Sequence, residues 1–192
     1  MRLKITGGTF KGRMIDAPKG STTRPTAEKL RKTLFDICQN SIEETTVLDI
    51  FAGSGAIGIE AISRGATICY FIESDFKAQT CIQENLESFG IQSQAKLLKV
   101  DALKAIDKLG EDQTKFHFIF MDPPYATNKE SISIAEKVLV KIDQFSLLLP
   151  EGTLFLEEGR YFNQERVLPN LKHLKLKNAR KSGDSQLFEF TC

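Results

Sequence analysis

The 192-residue sequence predicts a doubly wound α/β fold: a mostly parallel seven-stranded sheet, helices on both faces, a C-terminal antiparallel hairpin and a short N-terminal hairpin or arm. Three observations predict it. From Thr46 onward, strand-like and helix-like segments alternate, as in a parallel sheet built from crossover units. A glycine-rich turn follows the first of these strands, where such folds hold nucleotides. Between the last two strand-like segments lies Ser182-Gly183-Asp184-Ser185, a hairpin turn.

The elements follow in order. Residues 1–24 carry Gly7-Gly8, Gly12 and Gly20 between short apolar pieces, so they read as a hairpin or extended arm, separate from a domain spanning 25–192. Arg24-Pro25-Thr26 opens a helix that Thr26 can cap. Its apolar stripe is Leu30, Leu34, Ile37 and Cys38, which leaves Lys29, Arg31 and Lys32 facing water or a ligand. Strands are expected at Thr46–Ile50, Ile68–Ile72, Lys96–Val100, Phe116–Met121 and Thr153–Leu156, then at His173–Ala179 and Gln186–Thr191. Helices are expected near Gly58–Ser63, Phe76–Phe89, Leu103–Leu109 and Ser131–Ile142.

Composition narrows the class. No apolar run approaches the ~20 residues that span a bilayer, and the basic N-terminus has no apolar core of a signal peptide. Cys38, Cys69, Cys81 and Cys192 are scattered, and three of them fall in apolar-patterned segments. That pattern suits buried thiols in a reducing cytoplasm and argues against a zinc site, so no metal is expected. Net charge is only +1, but residues 1–40 hold nine basic against three acidic side chains, net +6, leaving 17 against 22, net −5, in the remainder. Lys172, Lys175, Lys177, Arg180 and Lys181 form a second basic cluster. Such segregation suits a polyanionic partner, although a charge cluster can equally be a solvated surface.

Gly53, Gly55 and Gly58 match G-x-G-x-x-G between a strand and a helix. The spacing permits a tight turn and close approach of a cofactor to the backbone, without naming the cofactor. Glu73, at the end of the second core strand, can accept from both ribose hydroxyls of an adenosine, whether in a nicotinamide dinucleotide or in S-adenosylmethionine. Asp101-Ala102 can face an adenine amino group from the end of the third strand. Asp49 precedes the loop, where an acid suits the ammonium of a methionine moiety. Asp122-Pro123-Pro124-Tyr125 closes the fourth core strand. Diproline cannot continue a ladder, so the Asp122 and Pro123 carbonyls are left as acceptors beside a carboxylate and an aromatic ring. That set suits a planar amine, whereas a lone Asp-Pro-Pro is a strand-ending turn.

The chain resembles the bacterial guanine-N2 methyltransferases of 16S ribosomal RNA, over nearly its whole length. The resemblance lies in Ile5-Thr6-Gly7-Gly8-Thr9-Phe10-Lys11-Gly12-Arg13, Thr23-Arg24-Pro25-Thr26, Leu34-Phe35, Asp49–Gly58, Ser63-Arg64-Gly65-Ala66, Ile72-Glu73 and Asp122–Tyr125. It implies the class I S-adenosylmethionine-dependent methyltransferase fold, with the methionine end of the donor on Ala52, Gly53, Ser54 and Gly55. Glu73 with Ser74 would hold the ribose, Asp101-Ala102 the adenine, and Asp122 through Tyr125 the acceptor base. Lys4, Lys11, Arg13, Arg24, Thr26 and Lys32 would contact RNA. The implied partner is 16S ribosomal RNA or an assembling 30S subunit, with a cytoplasmic monomer and no membrane.

Four rivals use parts of the same motifs; one, a non-catalytic RNA-binding protein on the same fold, would have no physical reason to keep Asp122–Tyr125 intact. A DNA adenine-N6 or cytosine-N4 methyltransferase shares the tetrad but generally adds a target-recognition domain, for which this chain has no room. A protein-glutamine methyltransferase usually has asparagine where Asp122 stands. A nicotinamide-dependent oxidoreductase would use the glycine loop alone.

Overall fold

The computed structural model describes residues 2–18, 25–125, 128 and 130–192, and describes no side chain for residues 25–29 and 182. The chain divides into two compact units, Met1–Asp101 and Ala102–Cys192.

In the first unit, β1 (Arg2–Lys4) and β2 (Met14–Asp16) pair as an antiparallel hairpin, so the arm is a formed element. Helix α1 (Pro25–Cys38) follows, then β3 (Thr46–Ile50), α2 (Ala56–Ser63), β4 (Ile68–Ile72), α3 (Phe76–Phe89) and β5 (Ala95–Leu98). Strands β3, β4 and β5 are mutually parallel. The bounds of β3, β4 and α3 coincide with those read from sequence, because each carries a strong local signal. Strand β3 is buried along nearly its whole length, and α3 has a cap at each end. The Asp75 carboxylate accepts from the Ala78 N–H at 2.9 Å, and Gly90 closes the helix at φ 70°. Strand β5 ends two residues before the expected Val100, which is 41% exposed.

One expectation for α1 fails and another lies outside the described residues. The helix spans Pro25–Cys38, with a proline whose fixed φ and absent donor suit the first position, and the Thr26 side chain expected to cap it lies outside the described residues. Arg31 does not face water or a ligand. It is 4% exposed and turns inward, donating to the Lys4 carbonyl at 2.6 Å and pairing with Glu60 at 3.4 Å. Helical spacing located the apolar stripe but could not show that a buried carboxylate draws a flanking arginine in with it. Lys32 is exposed as expected.

The second unit holds α4 (Ala102–Glu111), β6 (Phe116–Met121), α5 (Ile134–Gln144), β7 (Leu148–Gly159), α6 (Gln164–Val167), β8 (Lys175–Ser182) and β9 (Ser185–Thr191). Strand β6 runs parallel to β7, while β9 is antiparallel to both β7 and β8. Seven strands form one mostly parallel sheet in the order β5-β4-β3-β6-β7-β9-β8. Helix α5 starts later than its apolar pattern suggests, because Ser133 caps it by accepting from the Glu136 N–H at 3.1 Å. Strand β7 is three times the expected length. Its start holds Pro150, where the register against β6 shifts, and its end holds Glu157 and Glu158, 6% and 0% exposed. A proline at one end and two acids at the other hid it from pattern reading. Within this unit Phe116, Phe120, Phe155, Phe188 and Phe190 form the deepest core.

Cys38, Cys69 and Cys81 are buried and Cys192 is exposed. Burial pushes the Cys38 thiol up to about 12, so it is inert as a nucleophile. Among the described residues, no helix is long and apolar enough to cross a membrane.

Candidate active site

The glycine loop joins β3 to α2. Gly53 and Gly55 take φ values of 57° and 75°, the left-handed region that disfavours a side chain. A Cβ built on Gly53 would meet only the Phe51 carbonyl oxygen, at 4.0 Å, so the space over that backbone is open. The third glycine has a different task. A Cβ on Gly58 would stand 2.2 Å from the Phe71 ring, so its absence lets α2 pack closely on β4. Phe51 itself lies at φ 64°, a backbone conformation costly for a bulky residue and not foreseen from sequence.

Asp49 and Glu73 hold this loop in shape. The N-cap position of helix α2 is Gly55, which has no side chain to cap it. The cap comes from the preceding strand: the Asp49 carboxylate, 2% exposed, accepts from the Gly58 N–H at 3.0 Å. Glu73 leaves the end of β4 and divides its oxygens. One accepts from the Gly53 N–H and the other from the Asp75 N–H, each at 2.8 Å. A carboxylate has about four acceptor positions, so each oxygen retains capacity for a ligand hydroxyl. Ser54 is buried, Ala52 and Gly53 are half-buried, and Ser74 is exposed beside Glu73. Asp101 is exposed and Ala102 opens α4.

Sequence reasoning missed two residues here. Asn85, 3% exposed on α3, donates to the carbonyls of Ser54 at 3.0 Å and Asp16 at 2.9 Å, and accepts from the Asp16 N–H at 3.0 Å. One amide therefore ties the glycine loop to the N-terminal hairpin. Glu60, 0% exposed on α2, gathers Arg31, Arg64 and Thr6. A lone carboxylate in the otherwise apolar Ala56–Ser63 was the available signal.

The hairpin's basic residues have mixed surroundings. Lys4 and Lys11 are exposed. Arg13 donates to the Ser88 carbonyl at 2.7 Å and lies 4.0 Å over the Phe89 ring, so part of its binding capacity is spent on packing the hairpin against α3. Arg24 lies outside the described residues, as does the Thr26 side chain. In the second basic cluster, Lys177 and Arg180 pair with Glu189 at 2.8 and 3.9 Å.

The tetrad follows β6 directly. Met121 is the last buried strand residue; Asp122 is exposed, Pro123 buried, Pro124 exposed and Tyr125 half-buried. The Tyr125 hydroxyl donates to Glu157 Oε1 at 2.6 Å, and the Ser185 hydroxyl donates to the same oxygen at 2.8 Å. Desolvation and the neighbouring Glu157 carboxylate hold the phenol well above its ordinary range, so Tyr125 is a neutral ring with a fixed hydroxyl. Among the described residues, no group of three or more His, Cys, Asp or Glu side chains is placed to hold a metal ion.

Comparison with known proteins identifies the family. The family model described as "Conserved hypothetical protein 95" matches residues 3–191. The chain is 34% identical to the Bacillus subtilis protein named "Putative rRNA methyltransferase YlbH", covering 82% of this chain and 83% of that one. It is 30% identical to "Ribosomal RNA small subunit methyltransferase D" of Haemophilus influenzae, covering 81% and 78%. A solved structure titled "Putative methyltransferase yhhF from Escherichia coli" superposes with a TM-score of 0.81 at 25% identity, covering 99% of this chain and 97% of the other.

Proposed function

The chain belongs to the family described as "Conserved hypothetical protein 95", and from that membership we propose that it is an S-adenosylmethionine-dependent methyltransferase acting on ribosomal RNA, specifically on the N2 amine of a guanine in the small-subunit RNA. Relatives named as ribosomal RNA methyltransferases support the coarser part of this proposal. The observation that carries it is the tetrad at the end of β6, a carboxylate and a diproline carbonyl beside a ring whose hydroxyl is already bound. Guanine N2 in 16S RNA or the 30S particle rests on the motif resemblance.

The loop residues fit the donor. Open space over Gly53, and a Glu73 with acceptor capacity on both oxygens, suit a nucleoside bearing vicinal hydroxyls. Ala52, Gly53, Ser54 and Gly55 line the methionine end, Glu73 and Ser74 the ribose, and Asp101 and Ala102 the adenine. Asp49 acts through the loop that it caps. When bound, S-adenosylmethionine supplies a methyl group already activated by its sulfonium.

The difficulty lies in the acceptor, because the N2 lone pair is conjugated with the guanine ring. Asp122 and the Pro123 carbonyl accept from N2–H, favour a tetrahedral nitrogen and stabilise the positive charge that develops there. The proton then leaves to Asp122 or to water. Tyr125 stacks on the base, a contact worth ~1–3 kcal/mol. An amine inside a helix is hard to reach, so the target guanine is unpaired or flipped. Exposed Lys4, Lys11 and Lys32, with Arg13, Arg24 and Thr26, meet the RNA, each neutralised phosphate adding about −0.7 to the salt slope on a single strand.

The deciding experiment incubates the protein with labelled methyl donor and 30S particles, naked RNA or DNA, then digests and identifies the labelled nucleoside. N2-methylguanine from ribosomal RNA is expected. Label in N6-methyladenine alone overturns the choice of base, and label in DNA alone overturns the substrate. Glu73→Ala is expected to weaken S-adenosylhomocysteine binding by roughly ten- to a hundredfold in calorimetry, the scale of hydrogen bonds to a charged group. Unchanged affinity would confine Glu73 to the loop contacts it already makes.

A further inference from the structure

We propose that Glu157, Ser185 and Gly159 are positioning residues that hold the Tyr125 ring in the orientation in which it meets the acceptor base, an inference that rests on the methyl-transfer function proposed above. Tyr125 comes from an irregular segment after β6. The neighbouring strands supply its contacts. Glu157 and Gly159 are two apart on β7 and so share one face. Ser185 pairs with Gly159 across the antiparallel ladder and stands on that same face.

Each of the three makes a distinct contact. Glu157, 6% exposed, accepts a hydrogen bond from the phenol hydroxyl at 2.6 Å, a short charge-assisted bond. Ser185, 3% exposed, donates to the same Oε1 and so fixes the carboxylate. Gly159 provides the floor, since a Cβ there would stand 3.1 Å from Tyr125 Cδ2 and 3.3 Å from Cγ. A ring fixed by its hydroxyl at one end and by its backbone at the other has few rotamers left to lose on binding. The hydroxyl is also spent, so Tyr125 meets a base through its π-face. Stacking of that kind tolerates any base, which leaves the choice of amine to Asp122 and Pro123.

The test measures kcat and KM for 30S particles at saturating labelled donor, together with S-adenosylhomocysteine affinity, for Tyr125→Ala, Tyr125→Phe, Glu157→Leu, Gly159→Ala and the Tyr125→Phe/Glu157→Leu pair. Glu157→Leu is expected to raise the acceptor KM about tenfold, the scale of one lost stacking contact, with donor affinity unchanged. The double variant should show the same raised KM as Glu157→Leu, because the tether between the Tyr125 hydroxyl and the Glu157 carboxylate is absent in both. Gly159→Ala, which removes no side-chain hydrogen bond, should raise KM severalfold by displacing the ring, and it serves if Glu157→Leu does not fold. Unchanged acceptor KM in Glu157→Leu and Gly159→Ala, beside a raised KM in Tyr125→Ala, would overturn the positioning role and leave the function standing. No effect of Tyr125→Ala would also overturn the positioning role, and no methylation by the parent would overturn both.

Discussion

Asp122→Ala is expected to lower kcat for RNA methylation by about two to three orders of magnitude, the usual loss on removing one preorganised group facing developing charge. The prediction follows from what Asp122 offers at the end of β6. It is exposed, the next residue is a buried proline, and the pair of prolines fixes the backbone that aims both the carboxylate and the Pro123 carbonyl. On the proposed guanine-N2 chemistry, an N2–H bond to Asp122 would be one among several contacts in the ground state. As the nitrogen becomes cationic that bond strengthens, so its loss falls on kcat more than on acceptor KM. Donor affinity should survive, because the residues proposed to hold the donor are the loop and Glu73, which the substitution leaves unchanged. Calorimetry with S-adenosylhomocysteine and a single-turnover assay separate the two effects. Asp122→Asn keeps one acceptor oxygen and should lose less than alanine does. An Asp122→Ala enzyme that turns over at the parent rate would remove the carboxylate from the mechanism.

What could be read in the sequence depended on how local the cause was. Strands β3, β4 and β6 and helix α3 are specified by their own apolar runs and caps, and their bounds agree with expectation. The motif residues were equally local: a glycine turn must stand between its strand and helix, and diproline must end a ladder. Glu60, Asn85, Glu157 and Ser185 were not local in this sense. Asn85 acts on residues 31 and 69 positions away, and Ser185 on one 28 away. A buried polar side chain gives no periodic signal of its own and appears in a sequence as an interruption of one. The same cause misplaced Arg31, whose charge was read as a mark of exposure when its partner was an equally buried acid. Strand β7 was shortened for the related reason that its buried acids resemble a loop.

Glu60→Ala is expected to destabilise the protein by about 3–5 kcal/mol, the cost of breaking a buried ion pair by removing one partner. For a chain of this size that corresponds to a fall in Tm of roughly 10 °C. Glu60 is fully buried on α2, with Arg64 one helical turn away at 2.9 Å and Arg31 of α1 at 3.4 Å. Its Oε1 also accepts from the Thr6 N–H at 3.3 Å and from the Thr6 hydroxyl, which brings the N-terminal hairpin into the same cluster. Arg31 is 4% exposed and Arg64 17%, so neither can regain water without moving the element that carries it. Alanine would therefore leave two guanidinium groups facing each other across a cavity. Glu60→Gln preserves the shape and the Thr6 contact but not the charge, and it should recover only part of the loss. The hairpin should loosen before the sheet does, because Ser63 is its next anchor on α2, accepting from the N–H groups of Thr9 and Phe10 and donating to the Gly7 carbonyl. Hydrogen exchange would show this as lost protection at Ile5 and Gly12 at a temperature where β3 and β4 remain protected. Uniform loss across the first unit would instead make Glu60 a stabiliser of the sheet itself. Unchanged Tm would mean that the two arginines find other partners without cost.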